Sequence, residues 1–114
     1  MANKRDDLII KYAAHLKDRF HLEPDMALLK KVAIGLGPSI YNRDSANVSG
    51  TDEKELATVK NNFLIRKLGL SEELPLEESI NDIIVAYGVS ERTKYRAVIY
   101  YLLTKKFGKE EVYI

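Results

Sequence analysis

Residues 90 to 107 read Ser-Glu-Arg-Thr-Lys-Tyr-Arg-Ala-Val-Ile-Tyr-Tyr-Leu-Leu-Thr-Lys-Lys-Phe, and this stretch decides the fold because so little of it is polar. At 100 degrees per residue, Val98, Ile99, Tyr100, Leu102, Leu103 and Phe107 cover an arc far wider than the roughly 100-degree stripe of an ordinary surface helix. A helix that apolar has to be surrounded by other helices. Thr93, Lys94, Tyr101, Thr104 and Lys105 make a narrow polar strip, so one edge is expected to meet water. Ser90 is a good N-cap for a helix opening there. The stretch predicts the central post of an all-α domain.

Working back along the chain, Leu76, Ile80, Ile83, Ile84 and Tyr87 form a narrow helical stripe closed by Gly88. The acidic pairs Glu72/Glu73 and Glu77/Glu78 sit at or before its first turn, where they serve the helix dipole; neighbours on a helix point apart and do not make an acid and base pair. Asp52 and Glu55, spaced as a variant capping box, open another helix over 52 to 68. Leu56, Val59 and Phe63 share one of its faces, Leu64, Ile65 and Leu68 spread over another, and Gly69 stops it. On that wheel Asn61 falls between Ile65 and Leu68. A buried amide needs a partner, and the backbone of residues 38 to 50 is the expected one.

Leu8, Ile9, Tyr12, Ala13, Leu16 and Phe20 lie on one side of a helix from about residue 3 to 21, with Asp6 and Asp7 in its first turn. His15 is expected at the edge of the apolar face and His21 at a frayed end. Six residues apart, they do not meet, and no carboxylate completes a metal site. Glu23-Pro24-Asp25 punctuates, and Met26, Leu28, Leu29, Val32, Ala33 and Leu36 stripe the next helix. Gly35, Gly37 and Pro38 end it; with no preceding strand and no lysine plus hydroxyl, Gly-Leu-Gly is a helix stop and not a phosphate loop. After Gly108, the apolar Val112, Tyr113 and Ile114 are expected to dock. The result is a single small domain, 1 to 114, of five main helices around a buried C-terminal one.

At 114 residues the chain is long enough to bury a core without staples. It has no cysteine, which excludes disulfides, thiolate metal sites and thiol nucleophiles. A formal net charge of +1 gives no global pull towards nucleic acid or anionic membrane. The N-terminus lacks the apolar core of a signal peptide, and the longest apolar run, Ala97 to Leu103, is far short of a span of roughly 20 residues. A cytoplasmic protein with no membrane contact is expected.

The long irregular segment, residues 38 to 50, carries the richest chemistry: Ser39, Tyr41, Asn42, Arg43 and Asp44. It is not a calcium loop, since Ala46 and Val48 stand where oxygen ligands should be. These five residues, with Asn61 and the start of the last helix, are the candidate surface for an unidentified protein or small ligand. The competing account is one turn at Ser39 to Asn42 followed by a surface loop bonded to its own backbone. A second function class is nucleic-acid binding: residues 84 to 98 resemble a helix-turn-helix junction, with Arg92, Lys94 and Arg96 as contacts. Lys94 stands where such motifs want an aliphatic residue, and the apolar run after it would bury the reading helix. An enzyme is not expected, because no nucleophile, acid and base converge. No cofactor is implied, and Tyr41, Tyr101 and Tyr113 are expected at the surface for partner contact.

Gly-Leu-Gly-Pro-Ser-Ile-Tyr-Asn (35 to 42), Val-Ser-Gly (48 to 50), Lys-Asn-Asn-Phe-Leu-Ile-Arg-Lys-Leu-Gly-Leu (60 to 70) and Lys-Tyr-Arg-Ala-Val-Ile-Tyr-Tyr-Leu-Leu (94 to 103) follow in this order. This pattern resembles an uncharacterised bacterial family, domain of unknown function 2853. The resemblance covers nearly the whole chain and implies a small stand-alone protein with no assigned activity, cofactor or catalytic residues. It argues mildly against the helix-turn-helix reading.

Overall fold

The computed structural model describes residues 3–113. It is all-helical: α1 Lys4–Phe20, α2 Met26–Leu36, α3 Arg43–Ala46, α4 Glu53–Thr58, α5 Leu76–Tyr87 and α6 Arg96–Lys106. Tight 3₁₀ turns occupy Gly37–Tyr41 and Glu110–Tyr113. Among the described residues there is no strand, only a single antiparallel bridge between Asn47 and Tyr95. The radius of gyration, 13.2 Å, is that of one compact domain of this length, about 13 Å. No described helix is long and apolar enough to cross a membrane.

The apolar stretch is the central post. Helices α1, α2 and α5 pack around α6, and every residue from Arg96 to Thr104 is buried. The predicted wet edge is mostly dry: Lys94, Tyr101 and Thr104 are buried, Thr93 is half-buried, and of that strip Lys105 alone is exposed. Each buried polar group of that strip has a partner. The Tyr101 hydroxyl accepts the Asp25 amide at 2.8 Å at the mouth of α2, and the Thr104 hydroxyl donates to the Tyr100 carbonyl at 2.7 Å. Tyr101 is therefore an interior capping group and not the surface tyrosine its polar tip suggested, while Tyr41 is exposed and Tyr113 half-buried.

Helix α6 opens at Arg96, not after Ser90. A helix begun at Ser90 needs the Lys94 carbonyl for the Val98 amide. In the fold that carbonyl accepts the Val48 amide at 2.8 Å instead. A bond across the chain outcompetes the local cap, and residues 88 to 95 become a turn and an extended run.

The helix opened by Asp52 departs from α geometry after one and a half turns. Asp52 Oδ1 accepts the Lys54 amide at 3.0 Å and the Glu55 amide at 3.4 Å, and from Val59–Lys67 the backbone widens into π-helical turns with bonds from i to i+5. The buried positions Val59, Phe63, Leu64 and Leu68 recur at intervals of four to five, the wider period. This corrects the expectation for Asn61. Wheel positions drawn at 100 degrees drift out of phase in the wide turns, and Asn61 is exposed beside Lys60 and Glu77, away from the 38 to 50 segment. Gly69, at φ 73°, then reverses the chain in a conformation that disfavours side chains, and the Leu70 amide reaches back to the Leu64 carbonyl at 3.0 Å.

Two smaller expectations also change. His21 is not frayed: it takes a left-handed φ of 55° and caps α1, its amide on the Lys17 carbonyl at 3.1 Å. Met26 is exposed, leaving Leu28, Leu29, Val32 and Ala33 as the buried face of α2. Val112 and Tyr113 pack against the core, and Ile114 lies outside the described residues.

Candidate functional site

The 38 to 50 segment is not an irregular loop. Its first half is the 3₁₀ turn, in which the Ser39 hydroxyl donates to the Leu36 carbonyl at 2.7 Å. Asn42 then caps α3, its Oδ1 accepting the Asp44 amide at 3.0 Å, and the Ser45 hydroxyl donates to the Ser39 carbonyl at 2.8 Å. The chain next pairs Asn47 with Tyr95 and buries Val48.

Arg96 ties this segment down. It is 8% exposed, and its Nε donates to the Ser45 carbonyl at 2.7 Å. Nη2 donates to the Asn47 carbonyl at 3.3 Å and pairs with the Glu55 carboxylate of α4, while Nη1 reaches the Tyr100 hydroxyl at 3.1 Å. The Tyr100 ring stacks on Phe63 with centroids 3.8 Å apart. Burial works against the guanidinium charge, but the bonds to Tyr100 and Glu55 outweigh it and hold the group more firmly protonated than free arginine. One side chain thus joins α3, the Asn47 link, α4 and α6.

Between the anchored segment and the 88 to 94 turn lies a cleft of about 450 Å³. Arg43, Asp44 and Ser49 line one wall, Val89, Ser90 and Arg92 the other, with Ile84 and Lys94 also contributing. Lys94 is 6% exposed, its ammonium donating to the Val89 carbonyl at 3.2 Å and to that of Glu91. The Glu91 carboxylate accepts the Thr93 amide at 3.1 Å and pairs with Arg19 of α1. The Thr93 amide, helped by Arg19, holds its carboxyl below the ordinary carboxylate range.

Of the six residues proposed from sequence for a ligand surface, Arg43 and Asp44 line this cleft. Ser39 and Asn42 are helix-end caps, Tyr41 faces a separate hollow beside Leu8 and Lys11, and Asn61 lies elsewhere. Of the three proposed nucleic-acid contacts, only Arg92 is exposed; Lys94 and Arg96 are interior, their charges turned to carbonyls and Glu55. The cleft is also lined by Ser49, Gly50 and Val89, which sequence reasoning did not single out, and by Ser90, at the start of the predicted last helix, which it did include. Arg96, a cation four residues before Tyr100 in an apolar run, was the legible clue that acceptors had to be brought to it.

A family model described as a protein of unknown function, DUF2853, matches residues 11–111. The chain belongs to this family. The matched span of this DUF2853 protein includes the whole cleft and the Arg96 anchor. No curated protein matches it. Among its described residues no three histidine, aspartate or glutamate side chains gather as metal ligands.

Gly50 sets how closely the cleft walls of the DUF2853 chain approach. A Cβ there would stand 2.8 Å from Ile84 Cγ2, a buried branched carbon with little room to move. Gly50→Ala is expected to cost about 1–3 kcal/mol by overpacking, read as a lowered denaturant midpoint with unchanged m.

Behind the cleft, the Tyr87 hydroxyl accepts the Tyr95 amide at 3.2 Å and shares a hydrogen bond of 2.5 Å with His15 Nδ1. Burial pushes the Tyr12 phenol up to about 12 and raises Tyr87, Tyr95, Tyr100 and Tyr113 as well. Unfolded tyrosines lose their proton near 10, while the folded ones keep it. The folded state then holds more protons than the unfolded one, so stability is intact below pH 10 and falls as pH rises towards 12 and beyond. Alkaline unfolding should coincide with tyrosinate absorbance appearing in one cooperative step; independent titration of these phenols without unfolding would contradict it.

Proposed function

We propose that this protein is a non-enzymatic binding module of the cytoplasm whose ligand occupies the cleft between residues 43 to 51 and 88 to 94. One observation carries this reading. A cleft of about 450 Å³, within the roughly 300–1,000 Å³ of small-molecule sites, is built from two segments, α3 with the extended run after it and the 88 to 94 turn, whose backbones are fixed by the buried Arg96 and Lys94. Such rigidity suits recognition, because little entropy is lost when a ligand arrives. The hydroxyls of Ser49, Thr51 and Ser90 have no histidine among the other lining residues, which supports binding over covalent catalysis. Nucleic acid is the weaker reading, since two of its three cations are interior. The assignment to the cytoplasm rests on sequence alone.

The test is amide NMR of the folded chain against a mixed fragment library of acids, bases and neutral compounds. Shifts clustered on residues 43 to 51 and 88 to 94 are expected. Arg43→Ala should weaken them and Tyr41→Ala should not, with both variants folded. Shifts confined to other surfaces, or tight salt-sensitive binding of an oligonucleotide outside the cleft, would overturn the assignment.

A further inference from the structure

We propose that the cleft recognises an oxyanion, the carboxylate or phosphate of a small ligand, through the Lys94 ammonium and the flanking Arg43 and Arg92. This rests on the cleft being a ligand site and adds the chemistry of what enters it.

Lys94 is the deciding group. An ammonium carries three donors, and two of them go to the Val89 and Glu91 carbonyls, leaving one proton. No carboxylate of the described residues lies within 4.0 Å of it. Lys94 is 6% exposed, its ammonium is bonded only to carbonyls, and the Glu91 carboxylate acts on it only from beyond ion-pair distance, so its charge is incompletely compensated and an anion beside it removes that cost. The rest of the cleft has the same sign. Arg43 and Arg92 are exposed on its two walls, and neither is in an ion pair with a described residue. Against these three cations stand Asp44 and Glu91, and Glu91 is already held by Arg19 from outside the cleft and by the Thr93 amide. Free arginine forks suit paired oxygens, so a planar carboxylate or a phosphate meets donors from both walls. A cationic ligand would face two arginines with a single free carboxylate.

The experiment titrates the full chain with sodium phosphate, sodium acetate and methylammonium chloride at constant ionic strength, following the amides of residues 48 to 51 and 89 to 93. Saturable shifts are expected with phosphate, acetate or both, and none with methylammonium. Saturation by phosphate alone assigns a phosphorylated ligand, and saturation by acetate alone a carboxylate. Lys94→Met should weaken binding by about tenfold, the scale of one charge-assisted bond. Arg43→Gln and Arg92→Gln change exposed side chains and carry the test if Lys94→Met does not fold; each should weaken binding measurably in the folded protein. Non-saturating shifts, or shifts identical in all variants, would overturn the oxyanion assignment. Neutral or cationic fragments that bind the cleft while both anions fail would overturn it too, yet leave the site standing. No response of the cleft to any probe would remove site and ligand class together.

Discussion

Arg96→Met is expected to destabilise the protein by about 3–5 kcal/mol, enough to threaten folding in a domain whose total stability is of order 5–15 kcal/mol. The substitution keeps most of the side-chain volume and removes the charge. It leaves the Glu55 carboxylate, the Ser45 and Asn47 carbonyls and the Tyr100 hydroxyl without the donor they share. The cost comes from these stranded acceptors more than from the ion pair itself. Arg96→Met with Glu55→Gln should therefore recover part of the loss, because no unpaired carboxylate remains near the interior. Chemical denaturation of the four proteins in that cycle measures it. A loss below about 1 kcal/mol for Arg96→Met would mean that the guanidinium does not anchor the 43 to 47 segment.

Leu103→Ala is expected to cost about 2–5 kcal/mol. Leu103 is fully buried on a helix hemmed in by α1, α2 and α5, so the space it vacates has no free side from which to collapse. Leu102, one position earlier, borders an open hollow with Phe20, Ala86 and Lys106, where neighbours can relax into the gap. Leu102→Ala should accordingly cost less, by about 1 kcal/mol or more. Equal losses at the two positions would mean that α6 is packed no more tightly on its inner side than at that hollow.

The helical class, the bounds of α1, α2 and α5 and the burial of the C-terminal helix are written in the order of the residues. Those features follow from local periodicity and from glycine and proline stops, and they need no knowledge of neighbours: Ile9, Tyr12 and Leu16, or Ile80, Ile84 and Tyr87, declare a face on their own. Family membership was legible for the same reason, since it is carried by ordered strings of residues. Where Lys94 and Arg96 point, where α6 begins, why Asn61 is wet and which loops meet are set by the packed fold. Each of these depends on a partner distant in the chain. Lys94 gives its carbonyl to Val48, Arg96 gives its protons to Ser45, Asn47 and Glu55, and the π turns shift the phase of every residue from Val59 to Lys67. Hydrogen bonds between remote segments have no period along the sequence, so a cleft fixed by them comes into view only when the segments are brought together.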